Sequence, residues 1–118
     1  MKQLVGVKEY NGFNTNDSDA ETAEFSVKNA NELHVYIEGD TGTWNTEVVE
    51  FWAAGQKEDG TSGKFYLLTT EDMQGEGHRQ INMCTFSFVK AKVKTVEGST
   101  STVNIIFNAY WSPLGKRA

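Results

Sequence analysis

Residues 88–96 read FVKAKVKTV, and their alternation is nearly unbroken. Val89, Ala91 and Val93 fall on one side of an extended chain and Lys90, Lys92 and Lys94 on the other, because successive side chains of a strand point to opposite faces. A period of two does not fit one stripe of a helix, so the segment is a strand with one dry and one wet face. The same period recurs where Leu33, Val35 and Ile37 alternate with His34, Tyr36 and Glu38. It returns where Val103, Ile105, Phe107 and Ala109 alternate with Asn104, Ile106, Asn108 and Tyr110. The first set of each pair is the predicted core. In EVVEFWAA, Val49, Phe51 and Ala53 share one face while Val48, Glu50 and Trp52 share the other. Both sides of that strand carry apolar bulk, which predicts contacts on both faces.

Outward from these segments the chain repeats the same grammar. Further strand-like runs are QLVGVKEY, AEFSVKN, GKFYLLTT and HRQINMCT. Between the runs lie NGFNTNDSDAET, GDTGTWN, KEDGTSG, EDMQGEG and EGSTS, all rich in turn residues. No run has a helical period. About eight short strands at even spacing, without helices between them, predict an antiparallel β-sandwich, of jelly-roll or Ig-like layout, or a small barrel, with the sandwich preferred. With 118 residues the chain is of single-core size and needs no disulfide or metal to fold. The expected organisation is an N-terminal strand and polar arm over residues 1–22, a sandwich over 23–112, and a loose tail over 113–118 that begins at Pro113.

A net charge of −5 argues against a dedicated nucleic-acid binder, since such proteins gain affinity by neutralising phosphates with Lys and Arg. The single cysteine, Cys84, allows no internal disulfide. No apolar run is long enough for a signal peptide or membrane span, so synthesis in the cytoplasm is expected. The sequon at Asn16 then reads as accidental.

Little in the sequence spells catalysis. His34 and His78 lie on separate strands without the spacing that sets two ligands on one metal, and Cys84 in INMCTFSF reads as strand interior. The alternate acids Asp17, Asp19 and Glu21 lack the glycine and late glutamate of a calcium loop. Neither a metal nor a cofactor is expected, and no enzyme activity.

What remains are surfaces. Lys90, Lys92 and Lys94 form a comb that is either a solvated face or a contact for an acidic partner, and that also discourages promiscuous strand pairing. Trp44 in a glycine-flanked turn, Trp52, and the closing pair Tyr110 and Trp111 are candidates for an interface or a sugar-stacking platform. Phe13, an aromatic in the polar N-terminal arm, joins them.

From Leu33 onward the order of features is similar to a known group. LHVYIEGDTGTWNTEVVEFWAAGQKEDGTSGKFYLLT is followed by a Gly-containing turn and by FVKAKVKTVEGSTSTVNIIFNAY. This resembles the small β-sandwich virion proteins of tailed bacteriophages, in which a strand with alternating basic residues leads through a Ser/Thr-rich turn into a final alternating strand. Phe88 to Val93 and Gly98 to Tyr110 carry the match, and about two thirds of the chain is covered. Many such domains have Arg where Lys90 or Lys92 stands here. The resemblance implies a head decoration or cement protein located in the virion, without enzyme activity or cofactor, acting as a homo-oligomer on the major capsid protein or another virion protein and not on nucleic acid or membrane. A carbohydrate- or receptor-binding module of a phage tail, using Trp44, Trp52 and Tyr110, is the alternative from another class. An enzyme of cupin-like or lytic type comes third.

Overall fold

The computed structural model describes residues 2–14, 21–41, 48–68, 73–74, 76–82, 86–94 and 102–113. Among them there is no helix, so none is long and apolar enough to cross a membrane. The strands are β1 (Gln3–Asn14), β2 (Phe25–Ser26), β3 (Glu32–Thr41), β4 (Val48–Ala54), β5 (Tyr66–Leu67), β6 (Met73–Gln74), β7 (Gly77–Asn82), β8 (Phe88–Val93) and β9 (Thr102–Trp111).

They form two antiparallel sheets. One runs β1-β9-β3-β7, the other β2-β8-β4-β5, with β6 also beside β4. β5 and β6 share one lane, because Leu67 and Tyr66 pair with Trp52 and Ala53 at one end of β4 while Met73 and Gln74 pair with Val49 and Val48 at the other. The nine strands therefore fill the eight lanes that the sequence predicts. The pairing is nested: β1 with β9, β2 with β8, β3 with β7, and β4 with β5 and β6. That is a long antiparallel ribbon rolled on itself. It is the jelly-roll layout and not the Ig-like one, which the sequence left open.

The alternation read from the sequence sets the core. Leu33, Val35, Ile37, Val49, Phe51, Val89, Ala91, Val93, Val103, Ile105 and Phe107 are all buried between the sheets. Burying side chains of this size contributes roughly 1.5–3 kcal/mol each. Aromatic rings seal one end: Phe107 lies 5.6 Å from Phe25 in a stacked pair and 5.8 Å from Tyr10 edge-on. Gly6 sits where a Cβ would stand 3.1 Å from the Phe25 ring, so the β1 backbone passes close over that aromatic.

β1 is longer than its sequence pattern. It continues past Tyr10 to Asn14, with register shifts at residues 4–6 and 10–13, and the Gly12 amide donates to the Asn104 side chain at 2.9 Å. Residues 11–14 were expected in a loop or arm. Polar composition did not prevent pairing, because an edge strand exposes one rim to water and β9 supplies the other. β1 thus pairs within its own chain. Residues 15–20 and 114–118 lie outside the described residues.

Polar ties fix the strand ends. Asn31 is buried, and its amide donates to the Ser112 carbonyl at 2.6 Å while its carbonyl accepts from the Ser112 amide at 2.9 Å. Thr22 is buried too, with its hydroxyl accepting from the Ala91 amide at 3.0 Å. The turn at KEDGT closes by Gly60 N–H to the Lys57 carbonyl, 2.9 Å, with Gly60 at φ 89°, a conformation that favours glycine. Asp59 accepts from the Thr61 hydroxyl at 2.6 Å and from its amide at 3.0 Å, and these bonds hold its carboxyl below the usual aspartate range.

Candidate functional site

Because the interior is apolar, the polar and aromatic side chains of the strands stand on the two outer faces. The outer face of the five-stranded sheet carries the lysine comb. In register, Lys90 stands opposite Trp52 and Lys92 opposite Glu50. Glu21 forms an isolated bridge with Lys92 on the far side of β8. Its carboxylate lies 3.3 Å from the Lys90 ammonium and 3.6 Å from that of Lys92. The same two ammonium groups sit over aromatic rings, Lys90 over Phe65 at 4.6 Å and Lys92 over Trp52 at 4.7 Å. Each lysine is thus held by a carboxylate and a ring face of its own chain. Lys94, at the end of the comb, is exposed and has no such side-chain partner among the described residues. Trp52 is half-buried, and its indole N–H is buried without a hydrogen-bond partner among them.

The outer face of the four-stranded sheet is built differently. Tyr36, His34, His78, Ile106, Asn108 and Tyr110 project from β3, β7 and β9. Along β1 at its rim, Leu4 pairs with Tyr110 and Val7 with Asn108, so both share this outer face. Leu4 and Val7 are 50% and 54% exposed. A patch of exposed aliphatic residues beside exposed or half-buried rings is the composition of contact surfaces.

At its centre lies a polar chain. Lys2 is 2.9 Å from the Glu32 carboxylate, the same oxygen of Glu32 is 3.3 Å from His34 Nε2, and His34 Nδ1 is 2.7 Å from His78 Nε2. The imidazole planes lie within 7° at a centroid distance of 5.0 Å. Nitrogens at 2.7 Å are closer than stacked ring planes approach, so the rings meet edge to edge in nearly one plane. Tyr36 stacks on His78 at 4.7 Å, and Tyr110 stands edge-on to His34 at 5.2 Å. Glu32 is 7% exposed, and the hydrogen bond from Lys2 holds its carboxyl below the usual glutamate range.

The predicted surface residues are dispersed. Tyr110 is on the open face, and Trp111 is exposed at the end of β9. Phe13 packs against the core rather than standing free, 6.4 Å from Tyr10. Trp52, Lys90 and Lys92 are on the opposite sheet. Trp44, Cys84, Asp17 and Asp19 lie outside the described residues. The histidines correct the sequence reading. Spacing along the chain separated His34 from His78, whereas the β3–β7 register places them on one face within hydrogen-bond reach. Only strand order could have shown this, since their separation of 44 residues carries no signal.

No family model and no curated protein matches the chain. Among solved structures it is similar to the SPBc2 prophage-derived protein YomS, at 19% identity, with 91% of this chain and 98% of that chain covered and a TM-score of 0.49. It is also similar to a chain described with the disulfide-linked pili of Bacillus endospore appendages, at 12% identity, 95% and 88% coverage and a TM-score of 0.40. At these scores neither likeness carries an argument about function.

Proposed function

We propose that this protein is a structural component of a tailed-phage particle, a decoration or cement protein that binds the assembled head through the outer face of its four-stranded sheet. The observation that carries the reading is the contrast in how the faces are occupied: the lysines at positions 90 and 92 are held by Glu21 and by rings of the same chain, while Leu4, Val7, Tyr36 and Tyr110 lie together on a face with nothing over it among the described residues. The sequence resemblance to phage head proteins supplies the class of partner, because jelly rolls serve capsid proteins, lectins and cupins alike and the fold alone does not choose. The partner is the major capsid protein, and the reading assigns no catalytic turnover. Many copies on one lattice gain avidity from weak contacts, and a subunit that binds only the assembled shell stabilises that shell by mass action.

The test is to mix the purified chain with expanded heads that lack it and to sediment them. Co-sedimentation together with improved survival of the heads on heating and at low salt is expected. Heads that neither retain the chain nor gain resistance overturn the reading.

A further inference from the structure

We propose that His34 and His78 form a two-imidazole site for a divalent transition ion of the copper(II) or nickel(II) class. In the β3–β7 register Tyr36 stands opposite His78 and His34 opposite Gln80, so the histidines are diagonal neighbours. Long side chains reach across such diagonals. Here they bring His34 Nδ1 and His78 Nε2 to 2.7 Å, on a face where His78 is exposed.

The protons follow from the partners. A carboxylate only accepts, so His34 Nε2, at 3.3 Å from Glu32, carries hydrogen. In the neutral ring its Nδ1 is then the acceptor, and His78 Nε2 donates to it. A metal ion takes the Nδ1 lone pair of His34 directly. It takes Nε2 of His78 once that nitrogen's proton has passed through water to His78 Nδ1, so the neutral pair changes tautomer and releases no net proton.

Distance selects the class of ion. Metal–imidazole bonds of about 2.0–2.1 Å place two nitrogens about 2.9 Å apart at a right angle and about 3.3 Å apart at the tetrahedral angle. The hydrogen-bonded separation of 2.7 Å opens least to reach the first. Right-angle ligands suit the tetragonal preference of copper(II) and nickel(II), and imidazole matches both in softness. Both rings turn off the line joining their nitrogens as the ion enters, with water filling the remaining positions. No three-ligand cluster of His, Cys, Asp and Glu exists among the described residues, so the site is a chelate of two.

The surroundings are those of a ligating histidine. Glu32 holds the non-ligating nitrogen of His34, an arrangement that fixes the ring's tautomer and orientation. Lys2 in turn holds Glu32. Glu32 is a positioning residue here.

The site lies on the face proposed to meet the head, and its test needs no particle: it uses the full chain carrying Cys84→Ser, which removes the competing thiol. Copper(II) is titrated calorimetrically and by electron paramagnetic resonance, and nickel(II) by calorimetry. One equivalent and a copper spectrum with two equatorial nitrogens are expected. His78→Ala, at an exposed position, is expected to lose at least tenfold in affinity and to show fewer nitrogens, with an unchanged thermal melt. Glu32→Gln is expected to weaken copper about 10–100-fold and to shift the hyperfine pattern. Binding that is unaltered in His78→Ala, or a spectrum without two nitrogens, overturns the assignment.

Discussion

The two outer faces of the sandwich both carry charge and aromatic rings, yet one is closed on itself and the other is open. On the five-stranded sheet, Lys90 and Lys92 converge on Glu21 and cover Phe65 and Trp52, so aromatic surface is shielded by cations of the same chain. On the four-stranded sheet the rings of Tyr36, His78, His34 and Tyr110 touch one another, and the aliphatic rim of β1 stands beside them in water. A lysine comb, then, is no guide to an interface until its counter-charges are located. Side chains of modest sequence signal marked the more available surface.

Five measurements can break or sharpen this contrast. The largest effect belongs to the core that supports both faces: Phe107→Ala is expected to cost about 3–5 kcal/mol in denaturant unfolding, since the side chain is fully buried against Phe25 and Tyr10. A loss below 1 kcal/mol would mean that the sheets do not pack as described. Next is Asn31→Ala, which removes two buried hydrogen bonds to the Ser112 backbone and is expected to cost about 1–3 kcal/mol. Val7→Asp separates the faces by function. It is expected to weaken head binding at least tenfold, about 1.4 kcal/mol, while leaving the melt within about 0.5 kcal/mol of the parent. Equal binding by this variant would move the contact elsewhere.

The smallest effects are electrostatic. Glu21→Gln is expected to cost at most about 1 kcal/mol, because the ion pairs it removes are partly exposed. Glu32 gives the matching test on the open face. Its carboxyl titrates below the ordinary glutamate value, so the stability it contributes is complete above about pH 4.3 and disappears as pH falls through the lowered native value. In Glu32→Gln that part of the acid destabilisation should vanish in a pH series of thermal melts.

Much of the frame could be read from period two alone. Val89, Ala91 and Val93, and likewise Val103, Ile105 and Phe107, are buried as their alternation requires. The untidy strand was legible as well: Phe51 is in the core and Trp52 lies beneath Lys92 on the other face, which gives β4 contacts on both sides. The length of β1 was hidden, because residues 11–14 hold their place through pairing with β9 and not through composition. The short lanes were hidden for a similar reason. β2 pairs through only two residues, and β6 falls within a stretch that reads as a connector. The histidine pair was illegible, since alternation tells which face a residue occupies but not which strand lies beside it.

Nesting of the strand pairs also orders events during synthesis. The partner of Gln3 is Trp111, so β1 waits for every other strand of the sandwich before its own lane closes. Contacts this distant in sequence close slowly. Until then the apolar rim of β1 stays available to any strand it meets. Emergence of β9, rather than of any internal hairpin, is the moment at which the roll can complete.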